Sequence, residues 1–473
     1  MKRYITTFFT IALLAVSTAY AQQNLRTAYF LDGYTYNYKL NPSFAPERSF
    51  FAFPFLGNVG VGMESNLGLS TFCYPTEDGG LTSFLNSSVS DKEFLDRISN
   101  VTRTNVSVNE SILSTGFRVG RSFHTIDISL KADGGSIVPK EFYSFLKSGS
   151  ANGVESWNIS DVGVRVNSRL ELSYGYSRSI SDWMRIGARL KLLLGMARAD
   201  LLVDDLNLTL NSSKWTVTAH GNASVSGPIS LRTEEGSDEV DIDNVEAGTM
   251  EQLAEFFTVP SIGAAMDLGV SFDFLEYFTA SVSVIDLGFI GWKGTATAEM
   301  PGGEWSFDGF ENIGTDGSGI DGEIEELGSE LLGLMKLKMT GDNIKKNYML
   351  GATVHAGIEA RMPFYERLSF GLLGTQRIDG PYSWTEGRIS ANLAPVNWFS
   401  LSTSYAYSNF GNSFGGAVNI HLPGFNLYAG LDSFLPLMEM TPQYYPVNDL
   451  NTNVTMGLTF TFGKAVGRYR KAK

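Results

Sequence analysis

The stretch NTNVTMGLTFTF, Asn451 to Phe462, alternates without interruption. Thr452, Val454, Met456, Leu458, Phe460 and Phe462 fall on one face, and Asn453, Thr455, Gly457, Thr459 and Thr461 on the other. A side-chain period of two with one apolar face is a β-strand half-buried against something greasy. In a soluble sandwich the greasy face points inward, whereas in a transmembrane barrel it meets lipid and the small polar face lines the lumen. The rest of the chain decides between these.

Residues Met1 to Ala21 read as a secretory signal. Lys2 and Arg3 supply the positive end, Phe8 to Val16 the apolar core and Ala19-Tyr20-Ala21 a small-x-small cleavage site. No Cys follows that site, and no later run approaches the ~18 apolar residues of a membrane helix. The expectation is export without helical insertion. Gly 50 and an aromatic content of 12% favour one large sheet, because aromatics suit pleated surfaces and Gly tolerates turns and close packing. Cys73 is the only cysteine, so no intrachain disulfide can form.

The net charge of −14 is concentrated. Arg232 to Glu255 holds nine acids and one base, Glu299 to Glu330 holds ten acids and no base, and the remainder is close to neutral. Such acidity excludes nucleic acid as a partner, since phosphate binding needs clustered Lys and Arg.

From Val59 onward alternating segments arrive in pairs, about fourteen in all, starting near Val59, Ile112, Phe123, Val164, Met184, Ile262, Tyr277, Met349, Leu368, Trp384, Trp398, Phe414, Phe425 and Thr452. Their connections alternate. Short turns fall at Ser122, Ser181-Asp182, Leu275-Glu276, Tyr365-Glu366, Pro395-Val396 and Pro423-Gly424, and longer loops follow Thr71, Ala132, Ala199, Ile290, Ile378, Asn409 and Phe434. Short turns at one end, long loops at the other and an even strand count form the pattern of an outer-membrane barrel. Within the loops, Asp91 to Ile98, Pro139 to Leu146, Met250 to Phe257 and Gly322 to Leu337 carry helical spacing. Trp183, Trp292, Trp384, Trp398, Tyr405, Tyr407 and Tyr428 fall where an interfacial aromatic girdle belongs. The N-terminal segment, with Leu40-Asn41-Pro42-Ser43-Phe44-Ala45-Pro46, is irregular chain, and Phe50 to Leu56, interrupted by Pro54, reads as an edge or plug segment.

Enzyme signatures are missing. The four His (His124, His220, His355, His421) have no metal-protease spacing, and there is no GxSxG elbow and no P-loop. Cys73 reads as a structural residue. Asp316 to Gly322 fails the EF-hand template, leaving a solvated acidic loop or a looser divalent-ion site as readings. No enzyme activity and no cofactor are expected. With the apolar face toward lipid, Arg169, Glu171, Arg185, Arg189, Lys191, Asp267, Asp273, His355, Glu359, Arg361, Arg377 and Arg388 project into the lumen. They read as cross-strand ion pairs filling a narrow barrel, or as a polar path with a carboxylate-binding wall of Arg185, Arg189 and Arg377. Phe256, Ile324, Leu327, Leu331 and Leu334 are candidates for an apolar groove in the loops.

The Leu40-Asn41-Pro42-Ser43 turn, Tyr174-Gly175-Tyr176 leading into Ile186-Gly187-Ala188-Arg189-Leu190-Lys191 and Gly195, and Ile285-Asp286-Leu287-Gly288-Phe289-Ile290-Gly291-Trp292 together resemble a Bacteroidota outer-membrane protein family with a domain of unknown function. That family is similar to the FadL-like long-chain fatty-acid transporters. The resemblance implies a fourteen-stranded barrel with an N-terminal plug that carries hydrophobic solutes or serves secretion. Ser43 stands where the transporters tend to have Ala.

The expectation is therefore an all-β chain forming a closed antiparallel transmembrane barrel with partly helical extracellular loops. It comprises a signal peptide (1–21), an N-terminal plug (22–57), the barrel (58–463) and a basic tail (464–473). The expected role is passage of a small hydrophobic solute by a monomer in the cell outer membrane; the alternative is a non-transporting structural or secretion-associated scaffold. Expected partners are outer-membrane lipid, a hydrophobic small-molecule ligand and the barrel assembly machinery, which reads a terminal strand ending in an aromatic such as Phe462. A continuous apolar pocket from the Gly322 to Leu337 helix into the lumen favours transport, and a lumen packed solid with ion pairs counts against it.

Overall fold

The computed structural model describes residues 24–54, 56–76, 80–148, 156–210, 215–227, 229–234, 236–241, 246–247, 261–300, 304–307, 336–434 and 451–466. Fourteen antiparallel strands close into one barrel. β1 comes in two pieces, Ser49–Ala52 and Val59–Ser65. β2 is Val101–Val119, β3 Ser122–Pro139, β4 Val162–Ser179 and β5 Met184–Leu210. β6 is Ser261–Phe274, β7 Phe278–Glu299, β8 Ala352–Met362, β9 Tyr365–Ile378 and β10 Trp384–Val396. β11 is Phe399–Ser408, β12 Gly411–Leu422, β13 Phe425–Phe434 and β14 Thr452–Phe462. β1 closes the ring: Val61 lies opposite Val454 of β14 on one side and Val108 of β2 on the other. Closure gives every wall strand two neighbours and leaves no edge to aggregate or to face lipid unpaired.

The alternation of β14 recurs around the wall. Leu172, Leu190, Leu268, Val282, Ile358, Leu372, Ile389, Val418 and Leu427 are large, apolar and exposed, while Ser173, Ser281, Ser283, Thr375, Ser402, Asn419 and Thr455 are small, polar and buried. A continuous belt of exposed apolar side chains this large is tolerable only against hydrocarbon. No described helix is long and apolar enough to cross a membrane.

β14 spans 11 residues, about what a tilted strand needs to cross a bilayer. β5, at 27 residues, runs about 90 Å along its own length and stands well clear of it. Its outer half, that of β7 and the strand Trp215–Ser226 build a second storey on the long-loop side, packed around Trp157, Ile159, Leu206, Leu208, Val217 and Ala298. Two short helices lie nearby. α1 (Asp91–Leu95) is capped by the Ser90 hydroxyl accepting from the Glu93 N–H, and α2 (Lys140–Ser148) sets Tyr143 against Phe94 and Tyr74.

Several expectations need correction. The wall begins at Ser49, inside the span expected to be plug, because Phe50 and Phe51 pair with β14 and β2. β2 starts at Val101 rather than near Ile112, and β5 continues past Ala199 to Leu210. The connection after Ser408 is a two-residue turn rather than a long loop, since pairing of β11 with β12 runs through to Ser408 opposite Gly411. In the girdle, Trp183 is 57% exposed and Tyr407 69%, but Trp292 is 1% exposed, and Trp384 and Tyr428 are also buried. The expected helix at 250–257 and residues 322–335 of the one expected at 322–337 fall outside the described residues.

Candidate functional site

The lumen is occupied by the chain's own N-terminal segment. Residues 24–47 form two 3-10 turns, Arg26–Ala28 and Thr35–Lys39, and no ladder strand. A non-helical backbone buried in a barrel must find its hydrogen bonds among lumen side chains, and it does. The Asp432 carboxylate accepts from the Arg26 and Thr27 backbone N–H groups at 2.7 and 2.6 Å. Ser402 Oγ donates to the Thr27 carbonyl at 2.9 Å, Ser283 Oγ to the Leu40 carbonyl at 2.7 Å, and Asn426 Nδ2 to the Gly33 carbonyl at 2.7 Å. The small polar inward face read from β14 is thus, along much of the wall, a receptor for this plug.

Plug aromatics fill the remaining space. Tyr34, Tyr36, Tyr38, Leu25 and Leu31 pack with Phe50, Phe123 and Tyr428, while Tyr29, Phe30, Leu40 and Phe44 pack with Leu373. The Asn41-Pro42-Ser43 turn rests in a notch made by Gly187 of β5 and Gly269 of β6, which are directly paired. A Cβ at Gly187 would sit 2.6 Å from Ser43 N, and one at Gly269 2.9 Å from Pro42 Cδ.

Two buried ion networks tie plug to wall. In the first, Arg26 pairs with Glu64, with Glu386 at 3.3 Å and with Asp432 at 3.5 Å, and lies 5.1 Å from the Trp384 ring. Arg388 joins through Glu386 at 2.9 Å and donates to Thr27 Oγ1 at 3.0 Å. In the second, Tyr38 OH donates to Asp127 at 2.7 Å, and Lys39 lies 3.8 Å from the same carboxylate. Arg189 bridges Asp127 to Asp267, and Lys191 links Asp267 at 2.6 Å to Asp286. Lys131 and Arg169 add Glu171, Asp133 and a second approach to Asp286. Asp286 gathers three cations because it sits at a bulge of β7 with a left-handed backbone, φ 61°.

The twelve lumen candidates are distributed unevenly. Arg169, Glu171, Arg189, Lys191 and Asp267 come together in the second network, and Arg377 reaches it through Asp133 at 3.7 Å. Arg388 belongs to the first. Arg361 pairs with plug residue Asp32 at 3.1 Å, beside Glu359. His355 is buried near the Tyr29 ring and bonds Thr375 Oγ1 at 3.0 Å. Arg185 donates to the Ser179 hydroxyl at 3.2 Å, and Asp273 is exposed with the Thr279 hydroxyl donating to it. The wall of Arg185, Arg189 and Arg377 does not exist as one surface: Arg189 is engaged by Asp127 and Asp267, and Arg377 by Asp133 and Asp379. Phe256, Ile324, Leu327, Leu331 and Leu334, and the acidic stretch Asp316 to Gly322, lie outside the described residues. Among the described residues no cluster of three or more His, Cys, Asp or Glu could hold a metal. Glu64, Asp127, Glu386 and Asp432 share the inward face by the same alternation but are absent from the twelve candidates, whereas Arg26 in the irregular plug and Asp286 at the bulge are members that alternation does not give.

On the loop side of the plug remains a chamber of about 80 Å³, lined by Arg26, Asn109, Lys131, Asp133, Arg169, Asp286, His355, Arg377 and Trp384. Its lining is mostly charged and polar. The wall is irregular between the two pieces of β1. There Leu56 O accepts from Leu458 N at 2.6 Å and Asn58 O from Ser111 N at 3.0 Å without a regular ladder, and Phe53 and Leu56 turn outward, 51% and 47% exposed. Behind this gap stand two phenols, Tyr428, which donates to Asn58 Oδ1, and Tyr36, whose hydroxyl lies 2.7 Å from where a Cβ on Gly57 would be.

Three solved barrels resemble the chain at low identity. The toluene transporter TbuX of Ralstonia pickettii is 9% identical, with 95% of this chain and 98% of that one covered and a TM-score of 0.40. The toluene transporter TodX of Pseudomonas putida is 11% identical over 93% and 98%, with a TM-score of 0.38. A Pseudomonas aeruginosa FadL homologue is 10% identical over 93% and 98%, with a TM-score of 0.35. No curated protein matches the chain. A family profile, however, matches residues 42–432, from the plug's Pro42 to the latch carboxylate Asp432. The chain belongs to the family of unknown function DUF5723.

Proposed function

We propose that this protein is an outer-membrane barrel that passes a small hydrophobic solute and is closed at rest by its own N-terminal plug. The observation that carries this reading is the interruption of β1. A wall built only as a scaffold gains nothing from breaking β1 into two pieces, between which Leu56 O and Asn58 O each keep a single bond, from Leu458 N and Ser111 N, in place of a regular ladder, since irregular backbone at membrane depth is costly. Here the gap faces lipid through Phe53 and Leu56 and meets the aromatic side of the plug through Tyr36 and Tyr428. A shift of the plug away from Gly57 would join the loop-side chamber to the bilayer through an apolar opening. The plug is held by hydrogen bonds, ion pairs and the packing of its aromatic and leucine side chains, all non-covalent contacts that can be remade in a second position without unfolding the wall.

The packed lumen favours a second reading, a non-transporting scaffold. Proteoliposomes distinguish the two. With the refolded protein, uptake of labelled toluene or a fluorescent fatty acid above protein-free liposomes, with arabinose excluded, is the expected result. Removal of residues 24–47 should admit arabinose as well. No flux of any probe through the intact protein, and no lipid copurifying with it, would leave the scaffold.

A further inference from the structure

The outward face of the barrel carries, at its short-turn end, a polar cluster that neither the plug nor the lumen uses. Register sets Phe117 of β2, His124 of β3 and Tyr176 of β4 side by side. The His124 ring stacks on Phe117 at 5.2 Å with 8° between planes and meets Tyr176 edge-on at 5.3 Å. Its Nδ1 lies 2.7 Å from Tyr174 OH, which orients the imidazole and leaves Nε2 without a partner among the described residues. One step toward the turns, Ser122 Oγ lies 3.0 Å from Tyr176 OH, and Arg178 stands directly opposite Ser122 on the same exposed face. Arg121 stands next to them, more than half exposed, and touches Asp182 at 3.5 Å. An ion pair so exposed contributes little and is easily exchanged for a better one.

One step the other way the face becomes hydrocarbon-like: Ile126, Leu172 and Leu190 are exposed. His124 therefore sits at the boundary between acyl chains and headgroups, where phenols and indoles gather and basic side chains reach phosphate. An outward imidazole at that depth is costly unless both nitrogens are used. Two guanidinium groups against the single Asp182 carboxylate leave the patch net positive. Arg367, on another turn at the same end, is built differently: its donors are consumed by the Ala394 and Pro395 carbonyls and Asn397.

We infer that this cluster is a binding site for a lipid bearing a phosphate headgroup. Arg121 and Arg178 take the phosphate, His124 Nε2 and the Tyr176 hydroxyl hydrogen-bond its ester or glycerol oxygens, and an acyl chain lies along Ile126 and Leu190. The assignment depends on the apolar belt facing a bilayer and is independent of whether the barrel transports anything.

Native mass spectrometry of the full chain in a non-ionic detergent, titrated with phosphatidylglycerol, tests it. The wild type should retain one lipid more tightly than the rest, and the double variant R121Q/R178Q should bind that lipid about tenfold more weakly. H124F should weaken it as well, while R367Q should not. Diacylglycerol, which lacks the phosphate, and glycerophosphate, which lacks the chains, should each fail to compete. Folding of every variant is read separately from its heat-dependent shift in gel mobility. Equal retention by wild type and a folded R121Q/R178Q, or equal competition by diacylglycerol, would overturn the assignment.

Discussion

The Gly187 and Gly269 notch allows the plug to be displaced without touching a single charge. Both glycines have backbone angles open to any residue, so alanine adds only a methyl group to each. Those methyl carbons would lie 2.6 Å from Ser43 N and 2.9 Å from Pro42 Cδ, where ~3.3 Å or more is needed. The turn must retreat by more than about 0.5 Å, and it is not free to do so. Ser43 N–H and Oγ both donate to Asn41 Oδ1, Asn41 Nδ2 donates to Tyr29 OH at 3.1 Å, and the preceding carbonyl is held by Ser283. Overpacking of this kind costs roughly 1 to 3 kcal/mol per site, and each strained hydrogen bond adds about 1 kcal/mol. G187A/G269A should therefore weaken plug docking by about 3 to 5 kcal/mol. Amide hydrogen exchange across residues 24–47 reads this directly, as protection falling by two orders of magnitude or more, while the wall strands and the gel shift on boiling stay unchanged. Unaltered exchange in the plug of a folded G187A/G269A protein would refute the notch as its seat.

Three further outcomes follow from the same geometry. D432A removes the shared acceptor of two backbone N–H groups and leaves Arg26 and Arg388 short of a counter-ion; its cost should be about 3 to 5 kcal/mol, measured as a lowered urea midpoint for plug exchange. In single-Trp variants, brominated lipid should quench Trp183 and Trp398, which are exposed, and leave Trp292 and Trp384 bright. Removing residues 467–473 should leave assembly intact, whereas removing Phe460 to Phe462 should abolish the boiling-dependent gel shift, because these residues pair with both Phe51 and Phe425.

The wall was legible because its signal is local. Period-two alternation places each strand and its lipid face, and fourteen strands follow from counting. Alternation also carries the inward Arg, Lys, Asp and Glu of β4 to β6. It fails where the period slips. The bulge of β7 shifts the outward set from Phe278 and Val282 to Leu287 and Phe289, and so turns Asp286 inward, although simple parity with Val284 puts it outside. Trp384 shares its face with Glu386 and Arg388, so the alternation that puts Arg388 in the lumen puts Trp384 there too, under the Arg26 guanidinium, and reading it as a girdle residue overrode that pattern. The plug's partners are the least visible. Residues 24–47 look irregular because their backbone bonds go to side chains on distant strands, and Arg26 meets Asp432 across a separation of 406 residues.

That separation has a consequence for how the molecule is made. The first described residues of the chain find their acceptor on β13, and the ring closes only when β14 meets β1. Contacts this remote in sequence are slow to form, since the loop-closure entropy must be met before they contribute. Until the final hairpin arrives the plug has a seat but no latch, and afterwards a closed ring of paired strands surrounds it. The plug must therefore be in place while the sheet is still open, so that β14, in pairing with β1, encloses a segment synthesised some four hundred residues before it.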